Sequence, residues 1–155
     1  MKLLAKNKKA YFDYQVLDTI EVGIVLRGDE VKSLRAGNVH MTGAFATIHE
    51  GELFMINCKI AHYEKAYSKS SQDEDVTVRS RKLLVHRREL TRLVGDISQK
   101  GITLVPLSIY LNNKNKIKIE LGLCKHKKST DKKQLIKERD IKRETQRELK
   151  NYKSN

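Results

Sequence analysis

Three short segments carry cationic and polar side chains where a hydrophobic core has no use for them. The first is Asn7-Lys8-Lys9-Ala10-Tyr11, and the second is Glu30-Val31-Lys32-Ser33-Leu34-Arg35-Ala36-Gly37. The third spans residues 125–133 and contains Lys125, Lys127, Lys128, Lys132 and Lys133. Lys and Arg neutralise phosphates and release counterions, so these segments predict contacts with a polyanion. For any single segment, a solvated charged surface is the simpler interpretation. That interpretation explains the third segment least well, because its positive charge is so dense.

The residue types that most often catalyse reactions or bind metals are present but not grouped. The five histidines, scattered without the spacing of metal ligands, are His40, His49, His62, His86 and His126. No Gly-rich phosphate loop and no recognisable nucleophile pattern occurs. Cys58 and Cys124 lie far apart in apolar runs, which predicts two reduced core thiols. We therefore expect no enzyme, no metal and no cofactor.

Charge and length narrow the class of partner. The 155 residues include 32 Lys or Arg and 19 Asp or Glu, a formal net charge of +13, and 39% are hydrophobic. This composition supports one modest core and favours nucleic acid as the partner. No apolar run approaches the roughly 18 residues of a membrane span, and the first residues lack a secretory signal. The expected location is the cytoplasm, without membrane attachment.

Composition divides the chain near residue 124. Residues 1–124 hold most of the apolar side chains and predict one folded domain. Residues 125–155 hold twelve Lys or Arg against five Asp or Glu, with no full apolar stripe. Like charges lie one helical turn apart at Lys133/Lys137 and Arg139/Arg143, which opposes an isolated helix. The basic tail is expected to be disordered alone and helical against a polyanion.

Alternating hydrophobicity predicts a mainly β fold with embedded helices. Strands are predicted at 11–17, 20–26, 43–49, 52–60, 102–111 and 116–124, with Pro106 marking an edge or a bulge. A helix is predicted over residues 86–99, where Leu90, Leu93, Val94 and Ile97 fall on one face. A short helical turn is predicted at 30–36, capped by Asp29. Short antiparallel strands around one long helix favour a small OB-like β-barrel, which leaves no open edges.

Several segments, taken in order along the chain, resemble the SsrA-binding protein family, also called small protein B. The resemblance covers residues 7–139, and its most specific block is Glu30-Val31-Lys32-Ser33-Leu34-Arg35-Ala36-Gly37. The other blocks are Asn7-Lys8-Lys9-Ala10, Glu21-Val22-Gly23-Ile24, Gly28-Asp29, Arg81-Lys82-Leu83-Leu84, Arg88-Glu89-Leu90, Lys127-Lys128 and Asp131-Lys132. Three tail positions depart from the family: Thr130 replaces a usual His, Lys133 a usual Arg and Ile141 a frequent aromatic residue.

The resemblance implies an OB-like barrel that binds the tRNA-like domain of transfer-messenger RNA. Such proteins bring this RNA, together with elongation factor Tu, to stalled bacterial ribosomes. The barrel surface implied by the resemblance includes Asn7, Glu21, Lys32, Ser33, Arg35 and the region of Leu84. The implied tail positions, in the message channel and decoding centre, are Lys127, Lys128, Asp131, Lys132 and Arg139. A monomer is expected.

Three other classes of protein remain open from the residues alone. A structural ribosomal protein would also combine a barrel with a basic extension buried in ribosomal RNA. An RNA-processing enzyme would turn over labelled RNA in magnesium. A peripheral membrane protein ranks last, because the tail has no continuous apolar face.

Overall fold

The computed structural model describes residues 1–63, 74–99 and 101–154. Only the backbone is described for Glu74, Asp75, Ser129, Thr130, Asp131, Gln134 and residues 151–154. The strands are β1 (Lys2–Lys6), β2 (Tyr14–Ile24), β3 (Val39–His40), β4 (Phe45–His49), β5 (Glu52–Ile56), β6 (Lys59–Ile60), β7 (Arg81–Leu84), β8 (Ile102–Leu111) and β9 (Ile117–His126). The helices are α1 (Lys8–Asp13), α2 (Gly28–Arg35), α3 (Glu74–Thr77), α4 (Arg87–Ile97) and α5 (Ser129–Ser154).

Six strands close into a ring of antiparallel ladders. Strand β8 pairs with β4 and β9, β9 pairs with β2, β2 with β7, β7 with β5, and β5 with β4. Strand β1 adds to β8 outside this ring, and β3 pairs with β6 separately. The prediction of a mainly β fold with embedded helices is confirmed, and the closed ring is a small antiparallel barrel.

The barrel interior is aliphatic, as the alternating strands require. The side chains with no more than 2% exposure include Leu53, Leu83, Leu104, Ile109, Ile119 and Leu121. Helix α4 packs Leu93 against this core. A smaller cluster lies under α1 and joins Ala10 to Val105, Leu107 and Cys124. Both cysteines are buried and free, as predicted.

The two predicted hairpins form around residues that tolerate their turns. Glu50 and Gly51, between β4 and β5, both have positive φ, as the tight turn between twisted strands requires. The backbone N–H groups of Lys114 and Lys116 donate to the Asn112 side chain in the turn between β8 and β9. The ladder register shifts between Pro106 and Ser108, which confirms the predicted bulge.

The N-terminal strands differ from the prediction. Residues 11–13 belong to α1, because the Asn7 side chain accepts the Ala10 N–H and caps a short helix there. The predicted strands 11–17 and 20–26 are replaced by the single strand β2. A bulge between Val16 and Asp18 shifts the register of the ladder between β2 and β9. The ladder therefore continues through the polar residues around Asp18, where the prediction had separated two strands.

Other local predictions are wrong for identifiable reasons. The predicted strand 52–60 is broken at Asn57, where a positive φ ends β5. Because of this break, Cys58 and Ile60 are buried in the core as Leu53 and Met55 are, although a continuous strand would place even-numbered and odd-numbered residues on opposite faces. Val94 is 47% exposed, because the buried stripe of α4 is narrower than its apolar pattern. Helix α2 starts at Gly28, and the Glu30 carboxylate, not Asp29, accepts the Arg27 N–H at its start.

A buried ion network ties α2 to β7. Arg81 is fully buried and donates to the Glu30 carboxylate at 2.6 Å, and also to the carbonyl oxygens of Cys58, Val76, Thr77 and Arg79. Arg79 donates to the other oxygen of Glu30. Burial alone would raise the pKa of Glu30, but hydrogen bonds from Arg79, the Arg27 N–H and Arg81 hold that pKa below its ordinary value. Helix α2 is therefore fixed against the barrel by a charged, hydrogen-bonded contact.

Candidate nucleic-acid interface

A groove on the outside of the barrel is centred on Gly23 of β2. Gly23 pairs with Leu84 of β7 on one side and with Lys118 of β9 on the other. Two adjoining depressions of about 380 and 420 Å³ share these three residues. A Cβ at Gly23 would lie 3.2 Å from the Leu84 Cβ, so the glycine lets the backbone form the floor of the groove.

The walls of the groove combine cations with exposed apolar surface. Arg35 of α2 lines one depression together with Lys116, which precedes β9, and Lys118 of β9. Leu84 is 52% exposed and contributes apolar surface to both depressions. The cations suit phosphates, and the leucine offers a dry surface for an unstacked base or a ribose.

Glu21 brings an oriented acceptor to the same groove. It lies opposite Glu120 in the β2–β9 ladder and lines the second depression with His86. The Tyr110 hydroxyl, on a side chain only 7% exposed, donates to the Glu21 carboxylate. Burial, that hydrogen bond and the nearby carboxylates raise the pKa of Tyr110, so it remains a donor at neutral pH. A carboxylate held in this way accepts hydrogen bonds from base N–H groups or 2′-hydroxyls.

The structure therefore brings together part of the predicted barrel surface. Glu21, Arg35 and Leu84 meet at the groove. Lys8 and Lys9 are exposed on α1 instead, and Lys9 lines a separate cleft of about 290 Å³ beside Phe45. The Lys32 ammonium lies 5.4 Å from the centre of the Tyr63 ring.

Two of the predicted contact residues, Asn7 and Ser33, are buried. Asn7 is 5% exposed, donates to the carbonyl oxygens of Met41 and Pro106, and accepts from Ala10. Both polar atoms of its side chain take part in these hydrogen bonds, which hold the start of α1. Ser33 is fully buried on the inner side of α2, whereas the sequence pattern had placed it outward. Direct contact of either residue with RNA stays a prediction.

Several groove residues were not predicted as site residues. Lys116 and Lys118 could have been found from the sequence, because in the predicted strand 116–124 they alternate with the apolar residues of the core face. Gly23 lay within a recognised block without an assigned role. Tyr110 lies in a strand buried along most of its length, and only its long-range contact with Glu21 reveals its part.

The tail leaves the far end of the same ladder. Tyr14 and His126 pair where β2 begins and β9 ends, and their rings lie 4.3 Å apart. Nine residues of β2, about 30 Å at ordinary strand rise, separate Tyr14 from Gly23. The groove and the start of the tail are therefore at opposite ends of one rigid ladder.

The tail continues as α5, which is exposed for most of its length. Lys125, Lys128 and Lys133 are exposed, and every residue from 136 to 150 is exposed. Lys127, Lys132 and Arg139 also contact residues at the end of α1. The side chain of Asp131 lies outside the described residues. Strand β9 runs two residues past the predicted boundary at 124. The helix matches the form expected for the bound tail, and disorder of the free tail stays a prediction.

The described residues offer no metal site of the usual kind. No group of three or more His, Cys, Asp or Glu side chains among them could hold a metal ion. None of the helices in these ranges combines the length and apolarity needed to cross a membrane.

A closed barrel with a cationic groove and an exposed cationic helix defines the class of small β-barrel proteins that bind nucleic acid. The sequence model of the SmpB protein family matches residues 4–151. The chain belongs to this family.

Individual relatives are similar over nearly their whole length. An SsrA-binding protein of Coprothermobacter proteolyticus is 49% identical over 148 residues, covering 96% of this chain and 97% of the relative. That of Helicobacter hepaticus is 43% identical over 152 residues, covering 98% and 96%. A solved structure described as "tmRNA-SmpB: a journey to the center of the bacterial ribosome" is 50% identical with a TM-score of 0.65, covering 81% of this chain and 85% of that chain.

Proposed function

We propose that this protein binds transfer-messenger RNA, the SsrA RNA, and acts with it in trans-translation on stalled ribosomes. The observation that carries the proposal is the groove around Gly23, where Glu21, Arg35 and Leu84 meet Lys116 and Lys118. The names of the relatives and of the solved structure support the same RNA and the ribosome as partners.

The groove suits a folded RNA better than a regular duplex. Folded RNA is recognised by shape, 2′-hydroxyls and exposed bases, which require acceptors and apolar surface beside the cations. Glu21 supplies the acceptor, Leu84 the apolar surface, and Arg35 and Lys118 the phosphate contacts. The elbow of a tRNA-like domain offers these features together.

The exposed helix α5 gives the second binding element. Its cations would enter the message channel of the ribosome near the decoding centre, where ribosomal RNA neutralises their repulsion. An occupied channel would exclude the helix, so the protein would act on ribosomes that lack message. Elongation factor Tu would join through the RNA, and the protein would work as a cytoplasmic monomer without catalysing a reaction.

Binding to the isolated tRNA-like domain tests the groove. Lys118→Ala and Arg35→Ala should each weaken binding, and each should lower the slope of log affinity against log salt by about 1. Lys59→Ala is the matched control, because Lys59 is exposed on β6 and lines neither depression. Unchanged dissociation constants and unchanged salt slopes in both groove variants would contradict this assignment.

Deleting residues 132–155 tests whether the barrel and the tail have separate roles. The deletion should leave binding of the tRNA-like domain intact, because the groove lies at the other end of the ladder, and should abolish tagging of stalled peptides. Tagging at the normal rate would refute the role of the tail. A structural ribosomal protein would instead sediment with ribosomes at every stage, whereas the proposed function requires transfer-messenger RNA for cosedimentation.

A further inference from the structure

We propose that Phe12 and Asp13, at the end of α1, are positioning residues that hold the first three turns of α5. They thereby set the direction in which the cationic helix leaves the barrel. The name tail dock is used below for Phe12 and Asp13 with their two partners on α5, Lys132 and Arg139.

The dock consists of one ion pair and two contacts with an aromatic ring. The Lys132 ammonium lies 3.1 Å from the Asp13 carboxylate, and the two side chains are only 32% and 21% exposed. The same ammonium is 6.0 Å from the centre of the Phe12 ring, and the Arg139 guanidinium is 5.4 Å from it. Both distances are within the range in which a cation is attracted to a ring face.

The spacing on α5 makes these contacts act together. Lys132 and Arg139 are seven residues apart, which places them two turns apart on one helix face. Leu135 lies between them on that face and is half-buried, whereas Ile136, Ile141 and Leu149 are exposed. The buried face therefore ends near Arg139, and the exposed part of the helix begins there.

The segment that leads into α5 is fixed to the same end of α1. The Lys127 N–H donates to the Asp13 carbonyl oxygen at 2.9 Å, and the Lys127 ammonium donates to the Tyr11 carbonyl oxygen at 2.9 Å. Two points of attachment, one before the helix and one along it, restrict both the position and the direction of α5. A single point of attachment would leave the helix free to pivot.

The functional part of this inference rests on the proposed function. With RNA in the groove at one end of the ladder, the tail must reach an anionic channel from the other end. Restricting its direction lowers the conformational entropy lost on entry, which is how preorganisation increases affinity. The dock also uses two of the cations that had been expected to contact RNA, Lys132 and Arg139, so the other lysines and arginines of α5 would make the phosphate contacts.

Amide hydrogen exchange on the full chain tests the dock without any RNA. Residues 132–139 should exchange more slowly than residues 140–150 by about threefold to tenfold, the range expected for one partly exposed ion pair and two cation–ring contacts. Asp13→Asn combined with Phe12→Leu should remove that difference. Asp13→Glu and Phe12→Tyr should retain it, since each keeps the charge or the ring. Glu52→Gln, which removes an exposed ion pair elsewhere, is the matched control. Equal exchange of the two segments in the unaltered protein would overturn the inference.

The rate at which stalled peptides are tagged tests the effect of the tail dock on function. The double variant should bind the tRNA-like domain with unchanged affinity but support slower tagging, and the conservative variants should restore the rate. Faster tagging in the double variant would also overturn the inference, because the dock would then be a competitor that withholds cations. Failure of the unaltered protein to bind the RNA would instead refute the proposed function and leave the exchange result standing.

Discussion

Glu30→Gln should destabilise the fold by about 3–5 kcal/mol at neutral pH, the range for removing one partner of a buried ion pair. Arg81, which is 0% exposed, would keep its charge without the carboxylate that faces it at 2.6 Å. The amide nitrogen that the substitution introduces would also face a guanidinium or the Arg27 N–H, and donor would meet donor. The four carbonyl oxygens around Arg81 would still accept its hydrogen bonds. The barrel should therefore still fold, but with a smaller free energy of unfolding.

Urea unfolding at pH 7 measures this loss. With a slope of about 2 kcal/mol per molar urea, the midpoint should fall by about 2 M. The control Glu52→Gln removes an exposed pair with Lys82 and should cost less than about 1 kcal/mol. A midpoint shift no larger than that of the control would refute the reasoning.

The same comparison has a defined pH dependence. The folded-state pKa of Glu30 is lowered, so its ionised form contributes stability above the unfolded-state pKa. That contribution is lost as pH falls through the folded-state value. The difference between the unaltered protein and Glu30→Gln should therefore be constant near neutrality and shrink in acid. A difference that grows in acid would contradict the lowered pKa.

Three further predictions concern other parts of the barrel. Gly122→Ala would bring a Cβ to 2.8 Å from the buried Leu107 Cδ1, and should cost about 1–3 kcal/mol in thermal or urea unfolding; full stability would show that Leu107 has room to move. Tyr110→Phe should weaken binding of the tRNA-like domain by about tenfold, through loss of one hydrogen bond to the charged Glu21, and should have no effect in a Glu21→Ala background. Burial raises the pKa of both cysteine thiols to about 11, so a thiol reagent at pH 8 should label them only after denaturant is added; rapid labelling of the folded protein would contradict their burial.

Strands and helices were predictable from the sequence where the hydrophobic period and the flanking turn residues indicate the same element. Both hairpins and α4 fall within a few residues of their predicted bounds, because alternation or helical spacing is bounded there by Gly51, the Asn112–Asn115 turn and Gly101. Helix α1 carries no such period. It is six residues long and depends on hydrogen bonds from Asn7 to Met41 and Pro106, which sequence spacing does not reveal.

The site was predictable in part for a related reason. The alternation of charged and apolar residues in the predicted strand 116–124 placed Lys116 and Lys118 on an outer face, but nothing local indicated that β2 lies between β9 and β7. The groove exists only because Gly23 pairs on both sides. Arg81 is the clearest example of a residue whose position the sequence does not reveal. An arginine in a basic stretch is ordinarily exposed, but the burial of Arg81 depends on Glu30, 51 residues earlier.

The closed ring of ladders has a consequence for synthesis of the chain. Strand β2 emerges early, but its two neighbours β7 and β9 begin only at Arg81 and Ile117. Until then a nascent chain carries an eleven-residue strand with both edges open, a template for pairing with other chains. Asp18 and Glu21 interrupt that strand with negative charge, which discourages such pairing while the chain is unfinished.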